Sequence, residues 1–167
     1  MKRAMSIVVV LVFALCSTVA LAYENEPEGF RDIQWGTHVK DLPSMKLLEV
    51  RSDPASPLKY KVYERKEDNP GAGGFDLKAY YMFYDDRFFG VTMPVGGGKK
   101  KFDKVKEALI SRHGEPKIVS TKPMEQLEWS GDTLINLIWS YQRDQGYLGY
   151  MYMPIRKEMM GLRKEKN

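Results

Sequence analysis

Cysteine occurs once and histidine twice in 167 residues, and the single cysteine, Cys16, lies in a segment that reads as a leader to be removed. Residues 1–22 begin with Lys2 and Arg3, run through an apolar stretch from Ile7 to Leu15, and reach the small residues Ala20 and Ala22 before Tyr23. That order is the pattern of a secretory signal peptide. The apolar stretch is too short to span a bilayer, which takes about 20 residues, so export to the periplasm with cleavage near Ala22 is the expectation. The mature chain then has no cysteine, which excludes disulfides, thiol catalysis and thiolate metal sites. Leu15 stands before Cys16, where a lipoprotein signal has a small residue, so lipid anchoring through Cys16 is not expected.

An excess of one charge sign is also missing. Loss of Lys2 and Arg3 with the leader takes the 26 basic residues to 24 against 22 acidic, and the formal charge from +4 to +2. Such a balance gives no electrostatic reason to expect nucleic acid. A domain of about 150 residues buries roughly 68 to 70% of its unfolded surface and can stand without covalent staples.

What the sequence does have is punctuation and period. Tyr23 to Gly29 is polar and acidic and reads as a mobile leader. Thr37 is placed to cap a short helix from His38 to about Leu42, which Pro43 limits. Strands are expected at 46–51, 58–65, 75–84 and 88–95. Within 75–84, Phe75, Leu77, Ala79, Tyr81 and Phe83 alternate along one face, the period of a half-buried strand. Residues 67–74 carry the Pro and Gly of a loop, and Asp85-Asp86 marks a hairpin turn. From Lys99 to His113, Phe102, Val105, Ala108 and Leu109 recur at helical spacing; Gly114 and Pro116 then stop the helix. Further strands are expected at 126–130, 133–141 and 147–153.

The expected fold class is therefore α+β, an antiparallel sheet with two helices and a C-terminal tail helix. Residues 30–153 form the domain, either as one plain sheet or as two tandem helix-plus-meander halves, 30–95 and 96–153. The basic tail 154–167 places Ile155, Met159 and Leu162 on one helical stripe, which suits docking on the domain; disorder and contact with an anionic membrane surface are the other readings.

Chemistry-bearing constellations are few. Gly96-Gly97-Gly98 followed by Lys99, Lys100 and Lys101 suggests an anion contact at a helix start, but the nucleotide loop needs Ser or Thr after Gly-Lys, so a solvated connector is the plainer reading. His113, beside Gly114, suits a partly cationic ring at a helix C-terminus. No serine has the glycine setting of a nucleophile elbow. Met151 and Met153 form a Met-x-Met pair, read as core filling more than as a copper site. No cofactor or metal is expected.

Aromatic residues are the richest signal, at 12% of the chain, and they fall on both faces of the expected strands. One face serves as core; the other is either covered as well or offered to a partner. Tyr80, Tyr84, Phe88, Tyr150 and Tyr152 are the candidate contact residues. A one-residue change of register would exchange the faces.

The segments Gly29-Phe-Arg-Asp-Ile-Gln-Trp-Gly-Thr37, Tyr81-Met-Phe-Tyr-Asp-Asp-Arg-Phe-Phe-Gly-Val91 and Ser111-Arg-His-Gly-Glu-Pro116, followed by Trp129, resemble small exported bacterial proteins of unassigned function. More distantly, the helix-then-meander order resembles the β-lactamase-inhibitor-like fold, shared with the small lipoprotein of the outer-membrane barrel assembly machine. The resemblance implies action by protein contact. A non-catalytic binding module for an envelope protein is the leading expectation. The rivals are a periplasmic hydrolase built on His38 or His113, and a small-ligand or metal carrier.

Overall fold

The computed structural model describes residues 23–52, 58–68 and 75–161. The expected signal peptide with Cys16, part of the 67–74 loop and Leu162 of the tail lie outside these residues. Among these residues ten strands and two α-helices follow in the order β1 (Gly29–Phe30), β2 (Ile33–Gln34), β3 (Met45–Ser52), β4 (Lys59–Arg65), β5 (Tyr80–Tyr84), β6 (Arg87–Val95), α1 (Gly98–His113), β7 (Lys117–Ser120), β8 (Met124–Trp129), β9 (Thr133–Ser140), β10 (Gln145–Tyr152) and α2 (Met153–Met159). A single 3₁₀ turn at Val39–Asp41 precedes β3. The α+β class is as expected from the sequence.

Strands β3 to β10 make one eight-stranded sheet in the order β3-β4-β5-β6-β10-β9-β8-β7, with β1 and β2 as a separate ribbon. Each run of four strands is a meander, and the last strands of the two runs, β6 and β10, pair antiparallel at the centre. The first strands, β3 and β7, are therefore the two edges. Both carry an irregularity, between Leu47 and Glu49 in β3 and between Ile118 and Ser120 in β7.

The hydrophobic core lies on one side of this sheet. Ile135, Leu137 and Trp139 of β9, Leu148 of β10 and Tyr81 and Phe83 of β5 are buried there, against Phe102, Val105 and Leu109 of α1. Close approach at this layer depends on Gly146: a Cβ there would stand 2.9 Å from both Phe102 Cδ2 and Trp139 Cε3. The indole of Trp129 donates from Nε1 to the Gly114 carbonyl at 2.8 Å, which ties β8 to the end of α1.

The β5–β6 hairpin closes as the acidic pair suggested. Asp85 and Asp86 both have positive φ, 48° and 58°, and Tyr84 pairs with Arg87 across them, as in a two-residue type I′ turn. Beyond that turn the register shifts between Met82 and Phe83. The consecutive residues Phe88 and Phe89 are both buried, Phe88 in the main core and Phe89 in a second cluster with Ile155 and Met159. The expected strand 75–84 is shorter than its alternation suggests. Leu77 N–H donates to the Phe75 carbonyl at 2.9 Å, a three-residue turn that takes 75–79 out of the ladder while Phe75, Leu77 and Ala79 stay buried.

The leader makes hydrogen bonds to groups distant in sequence: Tyr23 donates to the Thr133 carbonyl at 2.6 Å, Asn25 donates to the Arg112 carbonyl at 2.8 Å, and Trp35 Nε1 donates to the Pro27 carbonyl at 3.0 Å. Its polar side chains satisfy backbone groups at the end of the sheet and of α1. The first short helix is only a 3₁₀ turn, capped by His38, whose Nδ1 accepts from Lys40 N–H. Thr37 instead donates back to the Gln34 carbonyl.

Candidate functional site

The face of the sheet opposite α1 is only partly covered. At one end α2 lies across β6 and β10, its Ile155 and Met159 packed on Phe89 with Tyr60, Met82, Tyr84 and Met151 around them. Pro154 near its N-terminus suits a helix start, and Arg87 fastens it with an ion pair to Glu158 at 2.6 Å. Ile155 and Met159 of the expected stripe are buried in this contact, and Leu162 lies outside the described residues.

Beside α2 the face opens into a cleft of about 290 Å³ lined by Arg51, Tyr60, Met82, Thr92, Leu134, Asn136, Ile138, Tyr147, Gly149 and Met151. Strand pairing places its floor. Tyr80 is opposite Thr92, Thr92 opposite Gly149, Gly149 opposite Asn136, and Asn136 opposite Glu128. Gly149 contributes no side chain to this row. The Oδ1 of Asn136 is buried without a hydrogen-bond partner. A buried acceptor left unmet costs about 1 to 3 kcal/mol.

The candidate contact residues separate. Tyr80 and Tyr84 are half-buried, Tyr80 in the floor row and Tyr84 against the α2 cluster. Phe88 and Tyr150 are in the core on the other side, 0% and 5% exposed, and present no ring to a partner. The shifted register sends Phe89 to the α2 side instead. Tyr152 stacks on Trp35, with ring planes 8° apart and centroids 6.2 Å apart, and lines a cavity of about 490 Å³ with Glu26, Glu28, Gln34 and Asp132. Sequence reasoning missed Leu134, Asn136 and Ile138, although their spacing between the buried Ile135, Leu137 and Trp139 was a readable signal of a strand with two apolar faces.

The lysine run has internal partners. Lys99 pairs with Asp103 and with Glu125, the latter at 3.1 Å, and sits 4.5 Å over the Phe102 ring. Lys101 donates to the Asp76 carbonyl at 3.4 Å, and Lys100 is exposed. Burial works to raise the Glu125 pKa, but hydrogen bonds from Lys106 and Lys99 outweigh it and hold it below the ordinary value. Asp103 and Glu125 thus offset the charge of Lys99 at the start of α1.

His113 is not the partly cationic ring that its place at the helix C-terminus suggested. It is 3% exposed, and burial lowers its pKa against the hydrogen bonds that the ring makes to the leader backbone. Its Nδ1 is 3.0 Å from the Glu24 carbonyl. His38 Nδ1 accepts from Lys40 N–H in the 3₁₀ turn, and Ser130 donates to Glu128 at 2.6 Å. Met151 belongs to the α2 cluster and Met153 begins α2. Among the described residues no group of His, Cys, Asp and Glu is arranged to hold a metal, and no helix is long and apolar enough to cross a membrane. No family model, curated protein or solved structure matches this chain.

Proposed function

We propose that this is an exported, non-catalytic binding module of the bacterial envelope, which takes another protein on the open face of its sheet. The observation that carries the reading is the unmet Asn136 acceptor in the floor of an apolar cleft bounded by Tyr60, Met82, Ile138 and Tyr147. Apolar walls with a few placed polar groups are the usual make-up of a recognition cleft, and aromatic and methionine side chains are enriched in protein contacts.

The edges favour the face by contrast. An edge strand pairs with other chains most readily when long and flat, and both β3 and β7 are bulged. The two meanders, each preceded by a helical segment, also fit a duplicated helix-plus-meander unit, whose halves join at β6 and β10 to widen one face.

The test is site-specific photocrosslinking in the exporting cell, with the reactive residue placed at Tyr147 or Tyr80 on the open face and at Ile118 on the β7 edge. One envelope protein captured at the first two positions, absent at the third and lost with Asn136→Leu, is the expected result. Capture equal at all three, or unchanged by Asn136→Leu, would remove the open face as the binding surface.

A further inference from the structure

The leader is held over the end of α1 and the start of β9 chiefly by hydrogen bonds. Tyr23 and Asn25 donate to the carbonyls of Thr133 and Arg112 at 2.6 and 2.8 Å. Thr133 returns two bonds, from its backbone N–H to Glu26 Oε1 and from Oγ1 to the Pro27 carbonyl at 2.8 Å. The Trp35 indole donates to the same carbonyl at 3.0 Å. Of the leader side chains, Tyr23 packs against the core cluster. A segment with so few buried apolar contacts opens at a lower free energy than the sheet it lies on.

One group beneath the leader can change its charge. The His113 ring is 3% exposed, with Nδ1 at 3.0 Å from the Glu24 carbonyl and the Tyr23 ring set edge-on at 5.4 Å. A carbonyl only accepts, so Nδ1 carries the proton, and Nε2 of the neutral ring is a lone pair, buried without a partner. A proton added there makes a charged donor with nothing to receive its hydrogen bond, which costs more than a neutral orphan. From α1 the charge of Arg112 adds to that cost. The leader brings the Tyr23 phenol and the backbone of Glu24 and Asn25, β10 brings the Tyr150 phenol, and the β1–β2 turn brings Arg31, which is paired with Asp68. No carboxylate lines the cavity of about 220 Å³ beside the ring. Water is the partner left for a protonated Nε2. Of the segments around the ring, the leader is the one held neither in a helix nor in the sheet, so it is the one that yields.

We propose that residues 23–28 are a pH-operated strap, shut while the His113 ring is neutral and released when the ring takes up a proton. In the released state the ring meets water and titrates at its ordinary 6.5, and in the shut state burial holds it lower. Above 6.5 neither state takes the proton and the strap stays shut; between 6.5 and the shut-state value only the released state does. The released fraction therefore rises by up to about tenfold for each pH unit of acidification in that window. The strap forms one wall of the cavity that Tyr150 lines and of the larger one that Trp35 and Tyr152 line, so its release opens both to solvent.

The experiment is hydrogen exchange of the purified protein by NMR from about pH 7.5 to about pH 5, with each rate referred to the intrinsic exchange rate at that pH. The Thr133 amide, bonded to Glu26, and the Trp35 indole N–H, bonded to Pro27, report the strap. The amides of Leu137 and Leu148 in the β9–β10 ladder report the whole fold. The expected result is strap protection about tenfold or more below that of the ladder near neutral pH, falling by up to about tenfold per pH unit in step with the titration of the His113 ring. His113→Asn, which keeps a donor near the place of Nδ1 and cannot titrate, should abolish this pH dependence even where it loosens the strap. Glu26→Gln, which keeps the acceptor for Thr133 and removes a carboxyl, should preserve it. Equal protection at strap and ladder, strap protection that does not change with pH, or a pH dependence that survives His113→Asn or disappears with Glu26→Gln would overturn the proposal. The strap lies with α1 on the opposite side of the sheet from the cleft, so its failure leaves the protein-binding reading standing.

Discussion

Arg87 at the start of β6 reaches Glu158 of α2 at 2.6 Å, so one ion pair joins the turn-proximal end of a central strand to the helix that closes one end of the open face. Both side chains are about one-third exposed, and exposed pairs contribute roughly 0 to 1 kcal/mol. Glu158→Gln should therefore lower global stability by less than about 1 kcal/mol. Met159→Ala, which empties a fully buried position against Phe89, should cost about 2 to 5 kcal/mol. Urea unfolding separates them. Equal losses would mean that the ion pair holds α2 as strongly as the apolar contact does.

Asn136 allows a cleaner separation of stability from binding. Its Oδ1 is buried with no donor, and replacing an unmet polar group by an apolar one of similar size is close to neutral or stabilising. Asn136→Leu should leave the urea midpoint unchanged or raise it, by up to about 1 kcal/mol, while abolishing capture at the cleft. A loss of stability above that size would show that Asn136 serves the fold.

Much of the fold was legible because period two reads directly as one buried face. Thr133 to Ser140 and Phe75 to Phe83 announced which rings form the core, and Gly114 with Pro116 marked the end of α1. The contact residues were less legible for a physical reason. A shift in the β5–β6 register is not written in alternation, and it moved Phe88 into the core and Phe89 beneath α2. The leader's contacts were not legible because its residues bond to backbone groups distant in sequence, Tyr23 and Glu26 both to Thr133. Hydrogen bonds of that span leave no local pattern.

Gly146 is the tightest point beneath α1. An alanine Cβ would stand 2.9 Å from Phe102 and from Trp139, and neither ring can withdraw easily from the layer it fills. Gly146→Ala should destabilise the protein by about 1 to 3 kcal/mol, the range for overpacking, whereas Gly96→Ala, with open space around its Cβ, should stay within about 0.5 kcal/mol. Thermal unfolding of the two variants checks the contrast.

The pH dependence of stability follows from two kinds of group. His113 has a folded pKa below its ordinary 6.5 because burial disfavours the charged ring. Between those two values the unfolded chain binds the extra proton, so stability rises with pH there and declines as pH falls from about 6.5 toward the folded value. Asp32, held low chiefly by its hydrogen bond from Arg65, and Glu125, held low by Lys106 and Lys99 against burial, act in a lower window: their contribution is present above the ordinary carboxylate values, 3.8 and 4.5, and is lost as pH falls through the depressed ones. Urea midpoints should therefore decline in two stages on acidification. His113→Gln, which cannot titrate, should erase the upper stage and leave the lower one; an upper stage that survives this change would place its origin in another group.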